Sequence, residues 1–408
     1  MRTRIAVPVT FTALCCILMS LALILAQQEA LKQQGRKPKV TVSAETTFVN
    51  EPLHANGYVD FAAAINTRLR EGVNSDNNAC IPLYEALGPS TVQIDMSDYL
   101  WGPKQIEAFF QEIGAPVRIY KTRSVLDKLR PTLSLHQHFR DYEHPDSRFD
   151  DVFRLLHDAA RRDRYYSPLI TNGVGDGRPQ ILIGASYPSD IAIRCAADLL
   201  LTRAGAMSDR ESAWKDILAS YRLGRLVGMG PEVGDALLGM EIEQKSVAAA
   251  MEFVKRRRPD TAQLRRCRTD IRNMPVRSPV SAKVDLAERC KCLDALLYLA
   301  YYGDPTTPNH GYPGAGRGPG EVYNELIRNR LGDPRWDPAF IEINKKYDEV
   351  VRILDLRDLD ERRKALEELE KEWQATRGSF TPPERGEFSA IPVWAHTVEY
   401  RERMETLA

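Results

Sequence analysis

The sequence has little cysteine and carries no net charge. Seven cysteines in 408 residues are too few for a fold built on disulfide bonds. Basic and acidic residues both number 56, so the chain lacks the global positive field that holds many proteins on nucleic acid. With 43% hydrophobic and 27% charged residues, it also lacks the polar bias of a disordered chain. We therefore expect a globular protein without a nucleic-acid partner.

Catalytic signatures are also lacking. The sequence contains no His-Glu-x-x-His, no Gly-x-Ser-x-Gly, no phosphate-binding loop ending in Gly-Lys-Ser/Thr and no Cys-x-x-Cys. The nearest approach to a nucleophile turn surrounds Ser186, but the final glycine is missing and the stretch is typical of a plain loop. Catalytic residues thus stay unknown, no cofactor is expected, and the sequence leans away from an enzyme.

One stretch has the residue types of a metal site. His136, His138, Asp141 and His144 fall within nine residues, and imidazole and carboxylate groups are ligands for zinc and similar divalent ions. The alternative function is therefore an extracytoplasmic metal-dependent hydrolase that uses the cluster from His136 to His144. The simpler interpretation is a solvated polar connection between two helices. His157, nearby, flanks an apolar helix face and is predicted to be packed and hydrogen-bonded.

Two further patterns have both a structural and a functional interpretation. Cys290 and Cys292 lie on a predicted helix and are expected to be buried thiols, with redox chemistry as the alternative. The basic stretches 256–258 and 265–268 are expected to be solvated at helix ends. Their alternative role is to bind an anion or a phosphate headgroup.

The N-terminus has the most specific physical signal. Residues 5–26 form an uncharged run rich in Leu, Ile, Val and Ala. As a helix, such a run is about 33 Å long, enough to cross a hydrocarbon core of about 30 Å. We expect an uncleaved transmembrane anchor, with a cleaved signal peptide as the alternative. Residues 27–50 are then a stalk or linker leading away from the membrane.

Charge divides at the same place. Residues 1–39 contain six basic residues and one acidic residue, so the rest of the chain has 50 basic and 55 acidic residues. A basic membrane-proximal segment therefore precedes a body with a formal net charge of −5. This division strengthens the exclusion of nucleic acid.

The rest of the chain is predicted to be mainly α, an irregular multi-helix domain preceded by one transmembrane helix. Its predicted parts are a mostly helical region 51–145, a central helical core 146–335, a charged helical segment 336–376 and a tail 377–408. Residues 190–228 have the length of one tetratricopeptide hairpin, so we expect a TPR-like unit there. Short apolar runs at 117–120 and 181–183 are candidate strands.

Several local features of the central region are predicted in detail. Ser208 and Glu211 have the spacing of a capping box, and Asp260 is expected to cap a later helix. Gly224 and Gly228 continue an apolar stripe that runs from Trp214 to Tyr221, and the two glycines would let another helix approach closely. Pro231 is placed at the first position of the next helix. In that helix a residue stripe recurs every seven positions and predicts a continuous buried seam, formed by Val233, Leu237, Met240, Val247, Met251 and Val254.

Two stretches resemble a known group of proteins. The first runs from Glu211 through Trp214 and Tyr221 to Leu226 and continues with 228–231; the second is 60–88, with its Asn-Asn-Ala-Cys-Ile-Pro-Leu-Tyr-Glu-Ala-Leu-Gly-Pro stretch at 77–89. They resemble uncharacterised, N-terminally membrane-anchored helical proteins of planctomycete-type bacteria. The resemblance implies a cell-envelope module and supplies no catalytic residues. With it, we expect a single-pass membrane protein whose extracytoplasmic domain binds a protein or an envelope component.

Overall fold

A computed structural model describes residues 40–87, 103–116, 150–171, 182, 190–302 and 336–376. These ranges are mainly helical, which confirms the predicted class. Within them, extended pairing is limited to two isolated bridges, Leu53 with Val59 and Asn78 with Arg164. No helix in these ranges is both long and apolar enough to cross a membrane. The predicted span 5–26 and the candidate strand 117–120 lie outside them.

The secondary structure of the described ranges consists mostly of α-helices. In chain order they are α1 (Phe61–Leu69), α2 (Cys80–Leu87), α3 (Pro103–Glu112), α4 (Asp150–Arg161), α5 (Asp190–Ala206), α6 (Arg210–Val227), α7 (Val233–Arg257), α8 (Thr261–Arg272), α9 (Val280–Lys283), α10 (Arg289–Tyr302), α11 (Asp337–Leu354) and α12 (Leu359–Thr376). A π-helical segment, Val284–Glu288, joins α9 to α10. Such segments are rare and were not expected from the sequence.

The long helix α7 takes part in three apolar cores. Its first turns pack with α1, α9 to α12 and the 40–50 segment in the first core. Leu238 and Ile242 face the second core, which also contains α2 to α5 and part of α6. Phe253, near its end, belongs to the small third core with Trp214, Ile217 and Cys267. One helix therefore connects all three clusters.

Residues 40–50, assigned to the stalk by the sequence, lie against α11. Thr46 and Thr47 are buried, and the side-chain amide of Asn344 donates to the carbonyl of Thr46 over 2.7 Å. Val49 belongs to the first core. Residues 40–50 therefore pack on the helical body, against α11 and the first core.

A buried ion pair ties three helices of the second core together. Arg203 of α5 donates to both carboxylate oxygens of Asp216 on α6, over 2.6 and 2.7 Å. His157 of α4 lies 2.8 Å from the same carboxylate, which agrees with its predicted packed and hydrogen-bonded role. The guanidinium also lies over the ring of Phe153 at 3.4 Å. Asp216 is 1% exposed, so these partners replace the hydrogen bonds to water that its carboxylate loses on burial.

Helices α6 and α7 touch backbone to backbone. An added Cβ at Gly239 would lie 2.5 Å from the carbonyl oxygen of Gly224 and 2.9 Å from the Cα of Gly228. The close approach predicted for Gly224 and Gly228 is therefore confirmed, and Gly239 of α7 is the residue that both contact. Side chains at Gly224 or Gly239 would force the helices apart.

Two predicted helix starts are wrong by one or two residues. The α6 N-cap is Asp209, whose carboxylate accepts from the amides of Glu211 and Ser212, so Ser208 is not the cap. Aspartate and serine are comparable N-caps, and the negative charge of aspartate also interacts favourably with the positive end of the helix dipole. Helix α7 begins after Glu232, whose amide donates to Asp235, and Pro231 lies before the helix.

Candidate binding groove

The apolar seam of α7 leaves the core halfway along the helix. Val233 and Met240 are buried, as predicted, but Met251 is 66% exposed and Val254 is 41% exposed. The prediction of a continuous buried seam is therefore wrong for the second half of α7. The seven-residue spacing of the stripe continues to Val254, but no described element covers the side chains of Met251 and Val254 fully. They line a groove instead.

The groove lies between α6, α7 and α8. Its volume is about 680 Å³, and its surface is almost entirely apolar. The lining residues are Trp214, Ile217, Leu218 and Tyr221 from α6; Ser246, Val247, Ala250, Met251, Val254 and Lys255 from α7; and Leu264, Cys267, Arg268, Ile271, Arg272 and Met274 from α8 and the residues after it.

Trp214 connects the floor of the groove to α8. Its indole N–H donates to a carboxylate oxygen of Asp270 over 2.8 Å, and its ring lies 5.8 Å from that of Phe253. It begins the α6 stripe that continues through Ile217, Leu218 and Tyr221. The sequence identified this stripe but gave no sign that it would face a cavity.

Helix α8 forms the outer wall. Asp260 caps it by accepting from the amide of Gln263 over 2.8 Å, as predicted. Only Cys267 of this helix is fully buried, whereas Leu264 and Ile271 are 40% and 43% exposed. An amphipathic helix with so little burial leaves an apolar face open to a ligand.

Exposed large apolar side chains concentrate around this groove. Among the described residues, six such side chains are exposed, and five of them lie between 251 and 276. Four of the five line the groove: Met251, Val254, Leu264 and Ile271. Scattered exposed apolar residues are ordinary, but a contiguous group beside a cavity is typical of a binding surface.

The rim of the groove is strongly basic. Segment 255–277 has nine basic and two acidic residues, a formal net charge of +7 in a body whose net charge is −5. Lys255, Arg268 and Arg272 line the groove and are exposed. Within the described ranges, none of the three pairs with a carboxylate at ion-pair distance. The two acids have other roles, since Asp260 is the cap of α8 and Asp270 binds Trp214.

A second charged cluster lies at the start of α7, where the π-helical segment packs. The ammonium of Lys291 lies 2.8 Å from Glu232 and 3.6 Å from Glu288. Glu288 also accepts from the amide of Val233. Burial raises the pKa of Glu288, and the two glutamates hold the pKa of Lys291 above its usual value against its own desolvation. The cluster fixes the first turn of α7 against α10.

Lys283 belongs to the same cluster and is 3% exposed. Its ammonium donates to the carbonyl of Gly230. Desolvation lowers the pKa of Lys283 to about 8, partly opposed by the charges of Asp235 and Glu288. A ligand does not reach an amine this deeply buried, so we assign the residue a structural role.

The Lys283 pKa predicts a stability change in mild alkali. Because the pKa of Lys283 is about 8 in the folded state and 10.5, its ordinary value, in the unfolded chain, the free energy of unfolding should rise through that interval. Relative to Lys283→Met, the wild type should gain about 1.5 kcal/mol between pH 8 and pH 9.5. Urea unfolding at both pH values measures the difference. Lys215→Met, at an exposed lysine, controls for the lost charge, and parallel curves for wild type and Lys283→Met would refute the assignment.

The remaining predicted site residues are placed as follows. His136, His138, Asp141 and His144 lie outside the described residues; inside them, no group of three potential metal ligands comes together. Cys290 and Cys292 are both buried, as the structural interpretation predicts. Burial raises the pKa of Cys290 to about 12, which keeps it a neutral thiol. The basic stretches 256–258 and 265–268 flank the groove.

Comparison with known proteins adds no relative. The chain matches no protein-family model, no curated protein and no solved structure.

Proposed function

We propose that the chain is a membrane-anchored, extracytoplasmic helical module that binds a protein or an envelope component in the groove between α6, α7 and α8. In this proposal residues 5–26 are the anchor, and α5 with α6 is a TPR-like hairpin that supports one side of the groove. The observation that carries the proposal is the groove itself, with its exposed apolar lining.

Two properties favour binding over an incidental surface defect. The volume of about 680 Å³ lies within the range of roughly 300–1,000 Å³ that is common for ligand sites. The lining also comes from three helices held in fixed positions, by the glycine contact between α6 and α7 and by the bond from Trp214 to Asp270. A rigid apolar cavity of this kind needs little rearrangement to accept a ligand.

A carboxylate placed in the groove should abolish apolar binding. We expect Nile red, a neutral dye that fluoresces in apolar surroundings, to bind the wild type at one saturable site. Met251→Asp should weaken that binding about tenfold or more, because the new charge would lose water when the dye enters. Dye titration at constant protein concentration measures the effect.

Val276→Asp is the matched control. Val276 is 89% exposed, lies in the same segment and is outside the groove lining, so the same chemical change there should leave dye binding intact. Equal loss in both variants, or equal binding in all three proteins, would contradict the proposal. In membranes carrying the full chain, a photo-crosslinker at position 251 should capture one envelope component that the same crosslinker at position 276 does not.

A further inference from the structure

The charge around the groove identifies its ligand more closely. On the basis of the proposed function, we infer that the groove binds an acidic amphipathic α-helix of a partner protein. The apolar face of that helix would contact the α6 and α7 stripes, and its carboxylates would meet the basic rim.

The shape of the groove suits a helix. Its lining on α7 extends from Ser246 to Lys255, about 13 Å along the axis, or two to three helical turns. Helices α7 and α8 form its sides, and Trp214 and Ile217 of α6, which belong to the third core, form its floor. An apolar cleft bounded by helices is the usual receptor for a helix that presents residues at i, i+3, i+4 and i+7.

The rim selects a negative ligand. Lys255 lies on one side of the groove and Arg268 and Arg272 on the other, so cations border the apolar surface along both walls. Their side chains are exposed, and within the described part of the chain no carboxylate neutralises them. Segment 255–277, which contains these three residues, has a formal charge of +7, and of its other cations Arg256 and Arg277 pair with Glu252 and Glu243. Such a field attracts acidic partners and repels basic ones.

A bilayer surface fits the geometry less well than a helix does. Peripheral membrane binding uses a convex apolar face that enters the lipid, whereas these side chains border a cavity. Val40 and Val42, at the start of the described body, pack against the first core, whereas Trp214, Ile217 and Cys267 of the groove belong to the third core.

Designed peptides provide the test. One helical peptide of about 18 residues carries a leucine face and a glutamate face; its twin carries lysine in place of every glutamate. Fluorescence anisotropy of the dye-labelled peptide reports its binding to the full chain in detergent. We expect the acidic peptide to bind the wild type at least tenfold more tightly than its twin, and salt to weaken this binding.

Charge reversal sharpens the test. In Arg268→Glu/Arg272→Glu the preference should invert, with the acidic peptide weakened about tenfold or more and the lysine peptide gaining affinity. Arg265→Glu/Arg266→Glu makes the same charge change on α8 at residues that do not line the groove. At about 0.15 M salt, where charges are screened beyond about 8 Å, that control should keep the preference of the wild type.

Each other outcome has a separate meaning. If both peptides bind equally while Nile red binding still responds to Met251→Asp, the proposed function stands and the acidic ligand is refuted. If neither peptide nor dye binds, both proposals fail. If vesicles of anionic phosphatidylglycerol bind through Arg268 and Arg272 while the acidic peptide does not, the partner is a lipid surface and the inference is overturned.

Discussion

Gly239→Ala is expected to lower the free energy of unfolding by about 3 kcal/mol. The added methyl group would lie 2.5 Å from the carbonyl oxygen of Gly224 and 2.9 Å from the Cα of Gly228. Both contacts are with backbone atoms, which cannot rotate away as a side chain can. Overpacking of this kind costs about 1–3 kcal/mol and sometimes more, which exceeds the helix propensity of about 1 kcal/mol that alanine adds.

Gly234 provides the internal comparison for this result. It lies on the same helix, but an added Cβ there has no neighbour within 4 Å. Gly234→Ala should therefore be neutral or stabilising by up to about 1 kcal/mol. Guanidinium unfolding of both variants measures the difference, and similar midpoints for the two would show that the α6–α7 contact is looser than described.

The second large effect is expected at the buried ion pair of the second core. Asp216→Ala should lower the free energy of unfolding by about 3–5 kcal/mol, because Arg203 and His157 would lose the carboxylate that both contact. Arg203 is only 19% exposed at its side chain, so water replaces the lost partner poorly. Thermal or urea unfolding gives the measurement.

Two further variants distinguish the energy lost with the ion pair from the energetic cost of leaving one charge buried without its partner. Arg203→Met/Asp216→Leu removes both charges and should recover a substantial part of the loss, as replacement of a buried pair by apolar groups often does. Glu211→Ala disrupts an exposed pair with Lys215 on the same helix and should change stability by less than about 0.5 kcal/mol. A double variant no more stable than Asp216→Ala would count against this electrostatic explanation.

The sequence predicted elements whose apolar face has a clear period. The mainly helical class, the buried first half of the α7 seam and the Asp260 cap of α8 were all expected from spacing and capping residues. These features depend on contacts within a few residues. The π-helical segment 284–288 depends on the packing of α9 and α10 against distant helices, so local spacing did not reveal it.

The sequence predicted the residues that line the groove on α6 and α7 but did not predict that they form a groove, because this also depends on the packing of distant elements. Periodicity identified both of its stripes, on α6 and α7, and the Arg-rich stretches beside them. It did not indicate which stripe residues a third helix would cover. Helix α8 buries Cys267 but leaves Met251 and Val254 open, and that depends on where the chain turns after Arg258, whose left-handed backbone ends α7. An apolar pattern alone does not distinguish core from binding surface.

The glycine contact between α6 and α7 also divides the groove into a fixed wall and an adaptable one. Backbone atoms in direct contact set the spacing of α6 and α7, so no side-chain exchange at Gly224 or Gly239 can widen it without loss of stability. Helix α8 meets them through side chains, chiefly Cys267 and the bond from Asp270 to Trp214. Ligands of different width would therefore be accommodated by amino-acid substitutions in α8. Selection for a new partner could act on this one short helix while α6 and α7 stay unchanged.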